Sequence, residues 1–408
     1  MTPPDNGSGA PRAGSGGGFA FFAQGLIAGA IILFLLLVLI EPLREAALPE
    51  TGGNRVTEAQ QIIEDSYFRD VTSEQLEDGS IAGMVEELRK ETGDRFSHFF
   101  DAKTYKRFNQ ATSGQFSGVG LAVSEVPEGL RVSQVYPDTP AEKAGIEPGD
   151  LIVEVEGESI KGVASSASAA QIKGPPGTEV KITIEDPNSA RRKELTLERA
   201  EVRIPAVTGR MIERDGVEIG YVALATFSNG AHAEVREEID RLRRQGAEGL
   251  VFDLRGNGGG LLQEAILVAS IFVEDGPVVI TEGRNRPRQT YEAQGDAIDP
   301  VPLAVLTNGD TASASEIVAA AIQQKGLGTV VGTTTFGKGT FQEIIELEAG
   351  GALDLTVGEY LTADGTSILD VGVEPDVKVP DNDASDGDDT LDEAVSIVAD
   401  EVRAESAG

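Results

Sequence analysis

Cysteine is missing from this chain, and histidine occurs only twice, at His98 and His232. The first absence excludes disulfides, thiolate metal sites and thiol nucleophiles. The second leaves too little imidazole for a histidine-built metal centre or for histidine-assisted hydrolysis. Acid–base chemistry here must come from Lys, Asp, Glu or Tyr. Positive charge is also scarce: 34 Lys and Arg face 68 Asp and Glu, a formal net charge of -34. A surface that acidic repels phosphates, so no nucleic acid partner is expected. It reads as a solubility or salt-adaptation trait of the host.

What is present is ordinary in bulk. The 408 residues, 40% hydrophobic and 25% charged, suffice for two or three domains with their own cores. No internal repeat is seen. The opening "MTPPDNGSGAPRAGSGGG" is Gly/Ser/Pro-rich and predicts a disordered tail over 1–18. From Phe19 to Ile40 runs "FAFFAQGLIAGAIILFLLLVLI", uncharged, with Gln24 its one polar side chain. Roughly 20 such residues span a bilayer core as a helix. The run exceeds a signal-peptide core, and the following "EPLREAALPE" lacks a cleavage signal. An uncleaved anchor over 19–41 is therefore expected. Arg12 and Arg44 flank it evenly and leave its orientation open.

Beyond the anchor, 42–112 carries helical patterning in "TEAQQIIEDSYF" and "EQLEDGSIAGMVEELRKET". Residues 113–200 change to short β-like runs ("GLAVSE", "LRVSQVY", "DLIVEVEG", "EVKITIED") between Gly/Pro turns. Over 201–380 strands alternate with helices, which favours a parallel or mixed sheet covered by helices. The stretch 381–408 reads as an acidic linker and an amphipathic helix.

Four segments hold the candidate chemistry. In "TNGDTASASEIVAAAIQQKG", Ser313 with Glu316 fits S-x-x-E, a capping box at a helix start. The same geometry puts a serine hydroxyl beside free N–H groups and the positive end of a helix dipole, where an oxyanion is stabilised. In "TTTFGKGTFQ", Lys338 stands between two glycines. It is either a surface turn lysine or a base, and burial would lower its pKa toward base work. Gln342 falls on the same side of an extended segment and is placed to orient it. Gly332 to Lys338 begins a phosphate-loop pattern, but Gly339 stands where that motif needs Ser or Thr. "GLVFDLRGNGGGLL" ends a strand in a glycine loop: a tight turn, or backbone amides for an oxyanion hole. Leu261 breaks a dinucleotide fingerprint there. In "SGVGLAV", Gly118, Val119, Gly120 and Leu121 suit a loop offering N–H groups to a peptide carboxylate, with "AGIEPGD" downstream.

Taken in order, "DRFSHFF", the Gly118–Asp150 stretch, "DLRGNGGGLL", "TASASEIVAAAI", "TFGKGTFQ" and "VGVEPDV" resemble the C-terminal processing peptidases, or tail-specific proteases. The resemblance runs from about Thr57 to Pro380. Added to the N-terminal transmembrane helix read from the apolar run, it implies an α+β and α/β multidomain chain: a helical region, a PDZ-like β domain and a mixed αβ core of the crotonase/ClpP-like kind. It implies Ser313 as nucleophile, Lys338 as general base and Gln342 as its orienting residue. Ser315 is the alternative nucleophile, and the family's Ser-to-Lys spacing favours Ser313. Ala314 and either Gly258 or Gly259 would form the oxyanion hole. "LTADGTSI" departs from the family's usual aromatic, proline and arginine there, which bears on the substrate strand.

The expectation is therefore a single-pass membrane serine endopeptidase of a bacterial cell envelope, with its catalytic part extracytoplasmic. It would take polypeptides with apolar C-termini and need no metal or organic cofactor. A homo-oligomer or an adaptor protein are the remaining partner expectations. The rivals are a PDZ scaffold that has lost catalysis and a binder of small apolar ligands. A trypsin-type enzyme is set aside for want of its Gly-Asp-Ser-Gly context.

Overall fold

The computed structural model describes residues 53–112, 115–186, 191–380 and 387–407. The expected anchor at 19–41 lies outside them. Among the described residues, no helix is long and apolar enough to cross a membrane. The chain divides into two compact units, one ending at Gly83 and one starting at Met84. The first holds the helix Gly53–Ser66 and the opening turns of the helix Ser73–Thr92. That second helix starts at a reciprocal cap: Thr72 N–H donates to Gln75 Oε1 and Gln75 N–H donates to Thr72 Oγ1, each at 3.2 Å.

The second unit begins with strand β1 (His98–Phe100) and the helix Ala102–Thr112. The sequence around 98–100 was expected to continue the helical region. It is extended instead because it pairs antiparallel with a strand about 250 residues downstream, a partner local periodicity does not reveal.

Strands β2 (Gln115–Gly118), β3 (Leu121–Val126), β4 (Gly129–Val135), β5 (Leu151–Val155), β6 (Glu158–Ser159), β7 (Glu179–Glu185), β8 (Arg192–Glu198) and β9 (Ala200–Arg203) follow. They form an antiparallel sheet in the order β3-β4-β5-β7-β8, with β6 on β5 and a separate β2–β9 ribbon. Leu130, Val132, Ile152, Val155, Val180 and Ile182 fill its core. Among the described residues strand β3 pairs only with β4, so its outer backbone edge is open to a further strand.

The remaining strands are β10 (Val207–Arg214), β11 (Val217–Leu224), β12 (Gly249–Asp253), β13 (Pro277–Gly283), β14 (Arg286–Glu292), β15 (Leu303–Thr307), β16 (Thr329–Gly332), β17 (Thr340–Glu346), β18 (Ala352–Thr362) and β19 (Val377–Lys378). The central sheet runs β10-β11-β12-β15-β16-β19, parallel except for its first pair. "GLVFD" and "LAVLT" are buried at every position, as strands covered on both faces must be. Leu250, Phe252, Leu303 and Val305 face the helices Ala231–Arg244, Leu262–Ala269 and Ala314–Gln324. Their neighbours Val251, Ala304 and Leu306 face the helix Asp389–Ala407 through Val395, Val398 and Val402. Each of the Val, Leu and Phe side chains contributes roughly 1.5–3 kcal/mol by leaving water. Beside this stands a second sheet, in which β18 pairs with β17 on one edge and with β1 and β13 on the other.

Candidate active site

Parallel strands deliver their C-terminal ends to one edge of the sheet, where loops collect the chemistry. The loops after β12, β15 and β16 hold the three catalytic-region motifs. The first two are stitched together by buried polar bonds. Ala312 N–H donates to the Asn257 carbonyl at 3.0 Å, and Ser315 Oγ donates to the same oxygen at 2.9 Å. Asn257, fully buried, also donates its amide to the Leu224 carbonyl at 2.8 Å. Thr311 Oγ1 reaches the Leu254 carbonyl at 2.9 Å. Ser315 is thereby spent on packing, and Ser313 is left for other work.

Ser313 precedes the helix Ala314–Gln324 with φ 56° and ψ -115°, a left-handed conformation that strains a residue with a side chain. The Glu316 side-chain arm of the capping box expected from the sequence is present. Ser313 N–H donates to Glu316 Oε2 at 2.7 Å, while Glu316 N–H donates to the Ser313 carbonyl at 2.9 Å. The Ser313 hydroxyl also interacts with the phenol of Tyr360, whose pKa burial pushes well above the ordinary tyrosine range.

The two candidate oxyanion glycines differ. Gly259, at φ 103°, packs so closely on the nucleophile turn that a Cβ there would lie 2.8 Å from the Ala312 carbonyl and 2.9 Å from Ser313 Cβ. Its N–H is taken by Asn257 Oδ1 at 2.9 Å. Gly258 is exposed, and neither its N–H nor that of Ala314 has a hydrogen-bond partner among the described residues. Gly259 therefore sets the close approach, and Gly258 and Ala314 present the free donors.

Glu316 joins the third loop to the first two. Its fully buried carboxylate accepts from Thr335 Oγ1 (2.6 Å), Gly337 N–H (2.7 Å), Lys338 N–H (3.0 Å) and Ser313 N–H. A buried carboxylate is tolerated only when donors replace its water, and here four do. Sequence reasoning saw Glu316 only as a helix cap. Thr335 in turn accepts from Val373 N–H at 2.7 Å, which ties in "VGVEPDV".

Lys338 is half-buried, and burial lowers its pKa against the opposing pull of Asp354 and Glu316. Its Nζ lies 4.9 Å from the centre of the Phe96 ring. Among the described residues it hydrogen-bonds to neither Ser313 Oγ nor Gln342. Gln342 instead donates to Thr356 Oγ1 at 3.1 Å and to Thr340 Oγ1 at 3.4 Å, in a β17 segment displaced by a bulge between Phe341 and Gln342. The structure thus brings Ser313, Ala314, Gly258, Gly259 and the Lys338 backbone together, and leaves the Lys338 and Gln342 side chains apart.

The carboxylate-loop candidates cluster at the start of β3. Val119 and Gly120 carbonyls accept from Ala141 N–H (2.9 Å) and Tyr136 N–H (3.0 Å). Gly120, at φ 91°, leaves room for Thr139, which would stand 2.2 Å from any Cβ. The N–H groups of Val119 and Gly120 have no partner among the described residues. Gly118 belongs to β2 and pairs with Ala200, while Leu121 begins β3 and pairs with Val135. Two unbonded N–H groups beside an open strand edge are what a terminal carboxylate and an added strand require.

Comparison with known proteins identifies the family and its domains. Residues 218–379 match the model of peptidase family S41, residues 131–186 that of a PDZ domain, and residues 43–104 that of the activating protease CtpB N-terminal domain. Carboxy-terminal processing protease CtpA of Bacillus subtilis (strain 168) is 33% identical over 336 residues, 82% of this chain and 70% of the relative. CtpB of the same strain is 31% identical over 377 residues, 90% and 77% of the two chains. The solved photosystem II D1 C-terminal processing protease shows 30% identity over 80% of this chain and 92% of that one, with a TM-score of 0.48. The chain belongs to peptidase family S41, the carboxy-terminal processing serine proteases, and carries a PDZ domain.

Proposed function

We propose that this protein is a membrane-anchored endopeptidase that holds an apolar C-terminal tail in its PDZ domain and cuts the chain through a Ser313–Lys338 pair. Residues 19–41 anchor it, and the catalytic part works outside the cytoplasm of a bacterium. The observation that carries the reading is the Ser313 turn: a strained serine at a helix start, two free N–H groups from Gly258 and Ala314, and a lysine loop pinned to the same buried carboxylate.

Ser313 Oγ attacks the scissile carbonyl as neutral Lys338 Nζ takes its proton. The oxygen that becomes negative is met by the Gly258 and Ala314 N–H groups. The protonated lysine gives its proton to the departing amine, leaving an ester on Ser313. A water deprotonated by the same lysine then attacks the ester, and the proton returns to Ser313 Oγ as the acid product leaves. For this, the Lys338 amine swings toward Ser313 while the side chain stays beside Phe96, and Gln342, its amide nitrogen still on Thr356, offers its oxygen to the amine. The tail adds to β3 as an antiparallel strand, its carboxylate on the Val119 and Gly120 N–H groups.

The test uses a fluorogenic peptide with a free apolar C-terminus, and its C-terminal amide as control. Ser313→Ala and Lys338→Ala are expected to lower turnover by about a thousandfold or more, and the amide to bind weakly. Wild-type turnover in either variant would sink the mechanism. Release of the full chain by carbonate washing of membranes would sink the anchor.

A further inference from the structure

The segment Asp94–Ser97 belongs to the stretch matched by the N-terminal domain, yet it lies against the base candidates. Phe96 puts its ring 4.9 Å from Lys338 Nζ. Asp94 Oδ1 accepts from Thr356 Oγ1 at 3.1 Å, and Thr356 Oγ1 accepts from Gln342 at 3.1 Å. Ser97 Oγ accepts from Thr356 N–H at 2.9 Å. Next in line, β1 pairs His98 with Asp354, one of the two carboxylates that act on Lys338. The segment is itself rigidly folded: Asp94 Oδ1 accepts from Phe96 N–H at 2.8 Å and Ser97 N–H at 3.4 Å. Arg95 sits 5.3 Å from the centre of the Phe96 ring, 5.8 Å from that of the Phe336 ring, and pairs with Asp370 at 3.2 Å.

We propose that this segment forms a wall of the active site. Phe96 is a positioning residue that screens the Lys338 amine from water, and Asp94, through Thr356, sets where the Gln342 amide rests. The inference depends on Lys338 serving as the general base, as proposed above.

The physical argument weighs two effects of one ring. An aromatic face attracts the ammonium and favours the charged lysine, by the equivalent of about 0.4 to 0.7 pH unit at an exposed site. Removing water from the amine favours the neutral form, by several units when burial is complete. Burial is the largest influence on Lys338 and lowers its pKa, and the Phe96 ring against the amine is part of that burial, so its loss should raise the pKa. Asp354 and Glu316 face the amine with negative charge and pull the other way, with Asp94 and His98 acting on Asp354 in turn. None of those four is altered by replacing Phe96.

The experiment measures kcat/KM against pH for the full chain with the tail peptide. Phe96→Ala should admit water and move the acid limb to higher pH by about half a unit or more, while Phe96→Tyr keeps the ring and should keep the wild-type limb. Thr356→Val should lower kcat about tenfold with KM unchanged, because it cuts the link from Asp94 to Gln342. Peptide binding to the PDZ domain, followed by fluorescence anisotropy, reports that each variant is folded. An acid limb in Phe96→Ala that coincides with wild type, or that moves to lower pH, overturns the wall. Lys338→Ala separates the two readings: if it keeps turnover, the base assignment has failed. If it is inactive while Phe96→Ala titrates like wild type, only the wall has failed.

Discussion

Ser313 and Lys338, far apart in sequence, donate their backbone N–H groups to one carboxylate oxygen, Glu316 Oε2, at 2.7 and 3.0 Å. The nucleophile turn and the lysine loop therefore share a buried anion as their common fixed point. Whatever the side chains do during turnover, their backbones stay in register.

Glu316→Gln keeps the shape but replaces one acceptor oxygen with an amide that can only donate. Two N–H groups, or an N–H and the Thr335 hydroxyl, are then left facing a donor in the core. Each buried unsatisfied group costs about 1–3 kcal/mol. A clear fall in Tm is expected, with turnover lost well beyond what the fall in folded fraction explains. A calorimetric scan and an assay below the variant's transition check both.

Lys338 should cost stability as well as serve catalysis. Its pKa is lowered on folding by burial, so between the lowered folded value and about 10.4 the unfolded chain binds more protons than the folded one. Stability attributable to this lysine therefore rises with pH across that window, and below it the folded state carries the full penalty of a poorly hydrated charge. Lys338→Met should unfold at a higher temperature than wild type near pH 6, and be inactive. Melting curves from pH 6 to 10 should show the difference narrowing as pH rises.

The two glycines proposed for the oxyanion hole should respond differently to a methyl group. At Gly258 nothing stands within 4 Å of a new Cβ and φ is not left-handed, so Gly258→Ala should fold and work. At Gly259 both the conformation and the contact with Ala312 forbid it. Gly259→Ala is expected to lower kcat at least tenfold, read with the same peptide.

Arg255 joins this loop to the last helix. It bonds Asp253 at 2.6 Å and Asp388 at 2.7 and 2.8 Å, and Tyr221 also donates to Asp253 at 2.8 Å. The Arg255 guanidinium, with help from the N–H of Leu391, outweighs burial and holds the Asp388 carboxyl below the usual range. A carboxylate lowered on folding stabilises above its unfolded pKa of about 3.9, and that stability is lost as pH falls through the folded value. Asp388→Asn should flatten the acid limb of stability below about pH 4. Arg255→Met should be more damaging at neutral pH, by about 3–5 kcal/mol, because Asp253 is left buried with its charge unpaired. Urea titrations at pH 7 and pH 3 separate the two.

The sequence made the sheet and the nucleophile turn readable because their signals are local. "GLVFD" and "LAVLT" are unbroken apolar runs, and S-x-x-E marks a helix start wherever it occurs. What it hid depends on distant pairing. Phe96 meets Lys338, and Thr356 takes Gln342, only because β1 and β17 flank the same strand β18. The alternation that placed Gln342 on the lysine's side assumed a regular strand, and the bulge at Phe341 breaks that count. Glu316 was visible as a residue but not as a hub, since three of its four donors come from a loop about twenty residues on.

The twisted backbone at Ser313 bears on how uncut substrates are best trapped. A φ of 56° with ψ of -115° suits glycine and burdens any residue with a Cβ. Replacing the nucleophile with alanine keeps that burden, whereas glycine both deletes the hydroxyl and relaxes the turn. Ser313→Gly should therefore give the sturdier bait for client proteins, melting above the parent enzyme while still gripping their tails.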